Sequence, residues 1–119
     1  MREAPVWIFR SSNLGLMKAV PAAISEVLAS HESVIIMEED TIAGPLWIEY
    51  AQEMLKIFSS DIRIEHISGY NLVPRNQLSR PDEGSRLTRY PESIAWATWK
   101  RAWDQYDGSL EWARCVKIS

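Results

Sequence analysis

Polar residues near positions 10–13, 38–39 and 66 have the chemistry of a small-molecule site. Together they supply a cation, hydroxyl and amide groups, carboxylates and an imidazole, which are the parts of an acid/base site that holds an anionic group. The catalytic candidates are Glu38, Glu39 and His66, and the ligand-binding candidates are Arg10, Ser12 and Asn13.

The same residues also have a simpler structural interpretation. Strands that reach solvent end in polar residues, and turns favour Ser, Asn and Asp. The sequence contains no Gly-rich phosphate loop and no Gly-x-Ser-x-Gly elbow. His31 and His66 lack metal-site spacing, and the single cysteine, Cys115, cannot complete a zinc site by itself. We therefore predict no metal and no cofactor.

The long segment 69–90 is a second candidate functional region. It lacks helical periodicity and carries four arginines but no lysine. Such segments in a small domain are usually functional or mobile, and the planar arginine fork suits interfaces as well as carboxylates and phosphates. The alternative is a solvated loop whose arginines pair with the acidic first half of the chain. The predicted partner-binding residues of this arginine-rich loop are Tyr70, Arg75, Arg80, Arg86, Arg89 and Tyr90.

Four aromatic residues near the C-terminus follow a helical spacing. Trp96, Trp99, Trp103 and Tyr106 would lie on one face of a helix over 91–107. Such a stripe is more often a core face than a ligand platform. Because Trp103 and Tyr106 are nearest the helix end, we add them to the partner-binding candidates.

The elements that position these residues are read from hydrophobic periodicity and from helix start signals. For the first helix we favour a start at Pro21 over a longer, kinked helix. The helix opened by Gly44-Pro45 has the clearest apolar stripe. The predicted strands are 6–9, 33–37, 62–66 and 110–118, and the predicted helices are 21–31, 45–58 and 91–107.

Strands that alternate with helices indicate parallel βαβ units. We predict one α/β domain over residues 1–119, with a largely parallel or mixed sheet of about four strands (β-α-β-α-β-loop-α-β) and three flanking helices. A two-layer α+β arrangement is the alternative. If the first three strands are parallel, their polar C-terminal ends meet at one edge of the sheet, where ligands of open α/β sheets bind.

Composition narrows the functional classes. The chain has 119 residues, 46% of them apolar, and a net charge of −3, which fits one folded domain rather than a disordered chain. No segment approaches the ~20 apolar residues of a membrane span. We expect a cytoplasmic protein because there is only one cysteine and no apolar leader. The acidic balance argues against general nucleic-acid binding.

These observations favour a non-catalytic protein-binding module that is Trp-rich and acidic, such as an inhibitor, immunity protein or antitoxin-like partner of a larger enzyme. The alternative is a nucleotide-binding protein or nucleotide hydrolase that uses the ends of the first three strands. The first hypothesis implies a protein partner, and the second implies a nucleotide-type small molecule.

Overall fold

Two amphipathic helices, a three-stranded antiparallel sheet and a short third helix make up the described part of this protein. The structure is a computed structural model that describes residues 4–77, 85–109 and 111. In chain order the elements are α1 (Leu16–Leu28), β1 (Ser33–Ile36), α2 (Trp47–Ile57), β2 (Ile67–Ser68), the single-turn 3-10 helix Arg75–Gln77, β3 (Trp96–Trp99) and α3 (Lys100–Trp103).

The sheet has the strand order β1-β3-β2, and both outer strands run antiparallel to β3. Ile36 of β1 and Ser68 of β2 both pair with Trp96, the first residue of β3. The central strand is therefore the last of the three in sequence. It enters between two strands that run in the same direction.

Helix α2 covers one face of the sheet. Alternate residues of a strand point to opposite faces, and Ala97 and Trp99 of β3 are buried against Trp47, Ala51 and Leu55 of α2. The indole N–H of Trp99 also donates a hydrogen bond to the carbonyl oxygen of Leu55 at 3.0 Å. The predicted apolar stripe of this helix is confirmed, as is the strand β1.

A single arginine ties together the loop that follows α2. Backbone carbonyl groups of an irregular segment need hydrogen-bond partners. The half-buried guanidinium of Arg101 donates to four carbonyl oxygens, one at the C-cap of α2 and three in the loop between α2 and β2, and it lies 4.4 Å from the ring centroid of Trp99, within cation–π range. The four carbonyl oxygens, at 2.8–3.1 Å, belong to Phe58, Ser59, Asp61 and Ile64.

Helix α1 begins earlier than the favoured prediction and contains a proline. It starts at Leu16, after Gly15 in the left-handed region at φ 70°, and Pro21 lies inside it. A proline in a helix interior removes one backbone hydrogen bond. Burial of Ile24 and Leu28 supplies tertiary packing that outweighs this cost. The start at Pro21 is therefore wrong, and the longer alternative is closer to the structure.

The predicted α/β fold, with a largely parallel or mixed sheet of about four strands, is wrong. The described residues contain a three-stranded antiparallel sheet, and the order β-α-β-α-β-loop-α-β is not observed. The predicted first strand, 6–9, is not a strand and has no backbone partner among the described residues. Its side chains are exposed, and Phe9 reaches 86% exposure. A hydrophobic run predicts burial only where a neighbouring element covers it.

The predicted strand 62–66 is also wrong. Residue Ile62 lies in a turn with 76% exposure, and the two-residue strand β2 begins only at Ile67. The Asp61 carboxylate accepts a hydrogen bond from the backbone N–H of Arg63 at 3.1 Å. This local hydrogen bond to a side chain favours a turn and competes with strand pairing, so the alternating residues do not form a strand.

The predicted helix 91–107 is replaced by β3 followed by the four-residue helix α3. Hydrogen bonds from strands on both sides fix the backbone of β3 as extended. The predicted final strand, 110–118, lies outside the described residues apart from Glu111, and so does Cys115.

Candidate functional site

A groove opens on the face of the sheet opposite α2. Its walls come from α1, from β3 and from the chain that follows β3, and its volume is about 730 Å³. We call it the aromatic groove, because aromatic rings form much of its wall. The residues that define it are Val20 and Ile24 of α1 together with His66, Trp96, Trp103 and Tyr106.

The four rings form a continuous row. His66 stacks on Trp96 with 4.8 Å between ring centroids, and Trp103 stacks on Tyr106 with 4.5 Å. Between these two pairs, Trp96 and Trp103 are 6.5 Å apart and tilted by 44°. Three rings are half-buried, and Tyr106 is 50% exposed. The row is therefore a partly solvent-facing aromatic surface rather than a core.

Hydrogen bonds hold this row in place from two sides. The indole N–H of Trp103 donates to the hydroxyl of Ser25 on α1 at 2.9 Å. On the other side, the hydroxyl of Thr98 donates to the carbonyl oxygen of Glu65 at 2.7 Å. The residue next to Glu65 is His66, so this bond fixes the backbone that carries the first ring of the row.

His66 is a neutral member of the row. Its Nε2 lies 2.8 Å from the backbone carbonyl oxygen of Glu92, and a carbonyl only accepts, so Nε2 carries the proton. Burial lowers the pKa of His66, and the hydrogen bond to Glu92 and the charge of its carboxylate oppose this only in part. The ring is therefore uncharged at neutral pH.

The groove carries negative charge at its edge. Among the described residues that line it, the charged ones are Glu65 and Glu92, and none is a lysine or arginine. A positively charged ligand group gains favourable electrostatic energy here, whereas a phosphate is repelled.

The indole of Trp96 brings an unpaired hydrogen-bond donor to the groove lining. The indole Nε1–H of Trp96 makes no hydrogen bond within the part of the chain that the structure describes. It is also not among the buried unpaired polar atoms, which among described residues comprise only Nε1 of Trp47. The Trp96 donor is therefore unpaired and not fully buried.

Backbone geometry at the start of β3 shapes the groove. Ala95 has a φ of 45°, in the left-handed region, which costs an L-residue about 1 kcal/mol. It joins β3 to the segment with Pro91 and Glu92 that lines the groove. Its carbonyl accepts the N–H of Gly69 at 2.8 Å. A Cβ on Gly69 would lie 2.8 Å from the Trp47 ring, so only glycine permits this approach.

The predicted acid/base site does not form at one sheet edge. Arg10 pairs with Glu26 of α1 at 2.5 Å, and Glu38 is exposed in the turn beyond the C-terminal end of β1. His66 instead precedes β2, in the aromatic groove. The other candidates are exposed: Ser12, Asn13 (which accepts the N–H of Gly15) and Glu39.

The residues predicted to bind a partner lie in two regions. Trp103 and Tyr106 line the aromatic groove. Tyr70 and Tyr90 are exposed, at 49% and 79%, outside its lining. From the rest of the arginine-rich loop, Arg86 and Arg89 are exposed, the backbone of Arg75 starts the 3-10 helix, and Arg80 lies outside the described residues.

Sequence reasoning missed the two groove carboxylates, Glu65 and Glu92. Neither belongs to a motif. Glu65 lies before β2 and Glu92 lies before β3, and the hydrogen bond from His66 to the Glu92 carbonyl links the two segments. The sequence pattern instead predicts that Pro91 and Glu92 start a helix. No local signal identifies them.

No family model, curated protein or solved structure matches this chain. Within the described ranges, no helix is long and apolar enough to cross a membrane. Across those same residues, no group of three His, Cys, Asp or Glu side chains could hold a metal ion. The chemistry of the aromatic groove is therefore the basis for a functional interpretation.

Proposed function

We propose that this protein is a non-catalytic binding module whose aromatic groove receives a segment of a partner protein. Inhibitors, immunity proteins and antitoxin-like partners of larger enzymes are modules of this kind. The observation that carries the proposal is the continuous, half-exposed row of rings from His66 to Tyr106. Tryptophan and tyrosine are enriched where protein interfaces concentrate their binding energy.

The construction of the groove also supports binding. The hydrogen bond from Trp103 to Ser25 fixes its ring before any ligand arrives, and ordered side chains lose less entropy on binding. Of the residues proposed for acid/base chemistry, only His66 lines the groove. This favours binding over catalysis.

Two tyrosines of equal exposure allow a matched test. Tyr106 is 50% exposed at the end of the ring row, and Tyr70 is 49% exposed outside the groove. Wild-type protein, Tyr106→Ala and Tyr70→Ala are immobilised and incubated with lysate of the source organism. Recovered proteins are quantified by mass spectrometry, and circular dichroism confirms that both variants are folded.

We expect wild type and Tyr70→Ala to retain one partner in stoichiometric amount. The amount of this partner recovered with Tyr106→Ala should be at least ten-fold lower. A partner lost with Tyr70→Ala but kept with Tyr106→Ala would move the interface to the arginine-rich loop. That result contradicts the groove as the binding surface. Equal retention by both variants contradicts it as well, and so does the absence of any stoichiometric partner.

A further inference from the structure

We propose that the aromatic groove binds an extended, proline-containing peptide that carries a lysine or arginine beside its prolines. This inference rests on the proposed function and adds the chemical class of the partner segment. Three properties of the groove support it: the continuous row of rings, the free indole donor and the sign of the charge.

The row of rings suits the apolar surface of a polyproline II helix. Such a helix is extended, with three residues per turn and a rise of about 3.1 Å per residue, so proline rings lie along its whole length. The four ring centroids of the groove follow one another at 4.5–6.5 Å and form a strip along which such a chain can lie. Proline rings dock into grooves lined by aromatic side chains because the peptide is already extended and loses little entropy.

The free donor of Trp96 complements the backbone of such a peptide. Polyproline II has no internal hydrogen bonds, so its carbonyl oxygens are available. The unpaired Nε1–H of Trp96, which is not fully buried, can donate to one of them. Neighbouring rings meanwhile contact apolar side chains of the ligand.

The charge of the groove selects the residue that flanks the prolines. Glu65 and Glu92 line it, no described lysine or arginine does, and His66 is neutral. A cationic side chain is therefore attracted to this edge. A nucleotide could stack on the rings as well, but its phosphates would meet the same two carboxylates.

Synthetic peptides test this inference without knowledge of the partner. The probe is an acetylated, amidated peptide of one arginine followed by six prolines. One control peptide replaces the prolines with alanine, and another replaces the arginine with glutamine. Binding to the full chain is measured by calorimetry, and the Trp96 indole N–H is followed by NMR.

We expect the arginine–proline peptide to bind with a Kd between about 10 μM and 1 mM, and the alanine peptide to bind at least ten-fold more weakly. Trp96→Phe keeps a ring but removes the donor, so it should weaken binding about three- to ten-fold. Glu92→Gln should weaken binding of the arginine peptide but not of the glutamine peptide. The control Glu49→Gln, on exposed α2 surface away from the groove, should change neither.

Equal affinity for the proline and alanine peptides overturns the inference, as does a Kd above 1 mM for the arginine–proline peptide or affinities unchanged in both groove variants. These failures are distinct from failure of the proposed function. If Tyr106→Ala loses a cellular partner but no proline peptide binds, the groove remains a protein-binding site with a different ligand chemistry.

Discussion

Arg101 is a polar residue whose contacts predict a large effect on stability. Its guanidinium donates to four carbonyl oxygens of the C-cap of α2 and the loop after it, and it lies over the buried ring of Trp99. Hydrogen bonds from a charged donor are worth about 1.5–3 kcal/mol each. Because Arg101 is only half-buried, water can replace part of these bonds in Arg101→Met, so the free energy of unfolding should fall by about 2–4 kcal/mol rather than by the sum of four bonds. Arg101→Lys should recover only part of this loss, because an ammonium lacks the planar fork.

Arg63 provides the control for that measurement. It pairs with Asp61 in the same loop, at 2.7 Å, but its side chain is 84% exposed. Exposed ion pairs contribute little to stability. Urea denaturation followed by circular dichroism should show a much smaller change for Arg63→Met than for Arg101→Met. Equal losses in the two variants would contradict the role of Arg101 in holding the loop after α2.

His66 makes stability depend on pH. Burial lowers its pKa in the folded protein below the ordinary value of about 6.5. Just below pH 6.5 the unfolded chain therefore binds more protons at this site than the folded chain does. Stability contributed by neutral His66 is present above pH 6.5 and decreases as the pH falls towards the folded pKa.

Replacing the imidazole tests this dependence. His66→Phe keeps a ring against Trp96 but cannot titrate, so its unfolding free energy should change less between pH 7.5 and 5.0. The carboxylates near the imidazole, Glu65 and Glu92, are common to both proteins. Urea denaturation at several pH values measures both profiles. A profile as steep in His66→Phe as in wild type would show that another group controls this range.

At the scale of elements, the sequence predicts the helices and strands that are determined by interactions between residues close together in the chain. Helix α2 was predictable because a start signal at Gly44-Pro45 is followed by an apolar stripe with helical spacing. The strand β1 was predictable from its β-branched residues. Each pattern lies within the element that it predicts, so the prediction does not require knowledge of which distant segment packs against it.

The central strand could not be predicted in the same way. Between Trp96 and Trp99 the spacing of three residues fits a helix face, but in a strand it places the two rings on opposite faces. Pairing with β1 and β2 decides in favour of the strand. As a result, Trp99 enters the core with α2, and Trp96 joins the groove with Trp103 and Tyr106. The aromatic residues predicted to share one helix face are therefore divided between the core and the aromatic groove.

At the scale of the whole molecule, segment 6–9 separates the observed architecture from the one that the sequence pattern favours. In the structure its side chains are exposed, and the Arg10–Glu26 ion pair ties the following residue to α1. In the parallel sheet predicted from the sequence it would be a covered strand. The two arrangements give opposite expectations for the removal of its largest side chains.

Phe9→Ala and Leu28→Ala make this comparison within one protein. Phe9 is 86% exposed, whereas Leu28 is 2% exposed on α1. Phe9→Ala should therefore change the unfolding free energy by less than about 0.5 kcal/mol, while Leu28→Ala should lower it by about 2–5 kcal/mol. Urea denaturation of both variants at one pH gives the two values directly. A loss of about 3–5 kcal/mol for Phe9→Ala is what a buried strand requires, and it would exclude the exposed arrangement of segment 6–9.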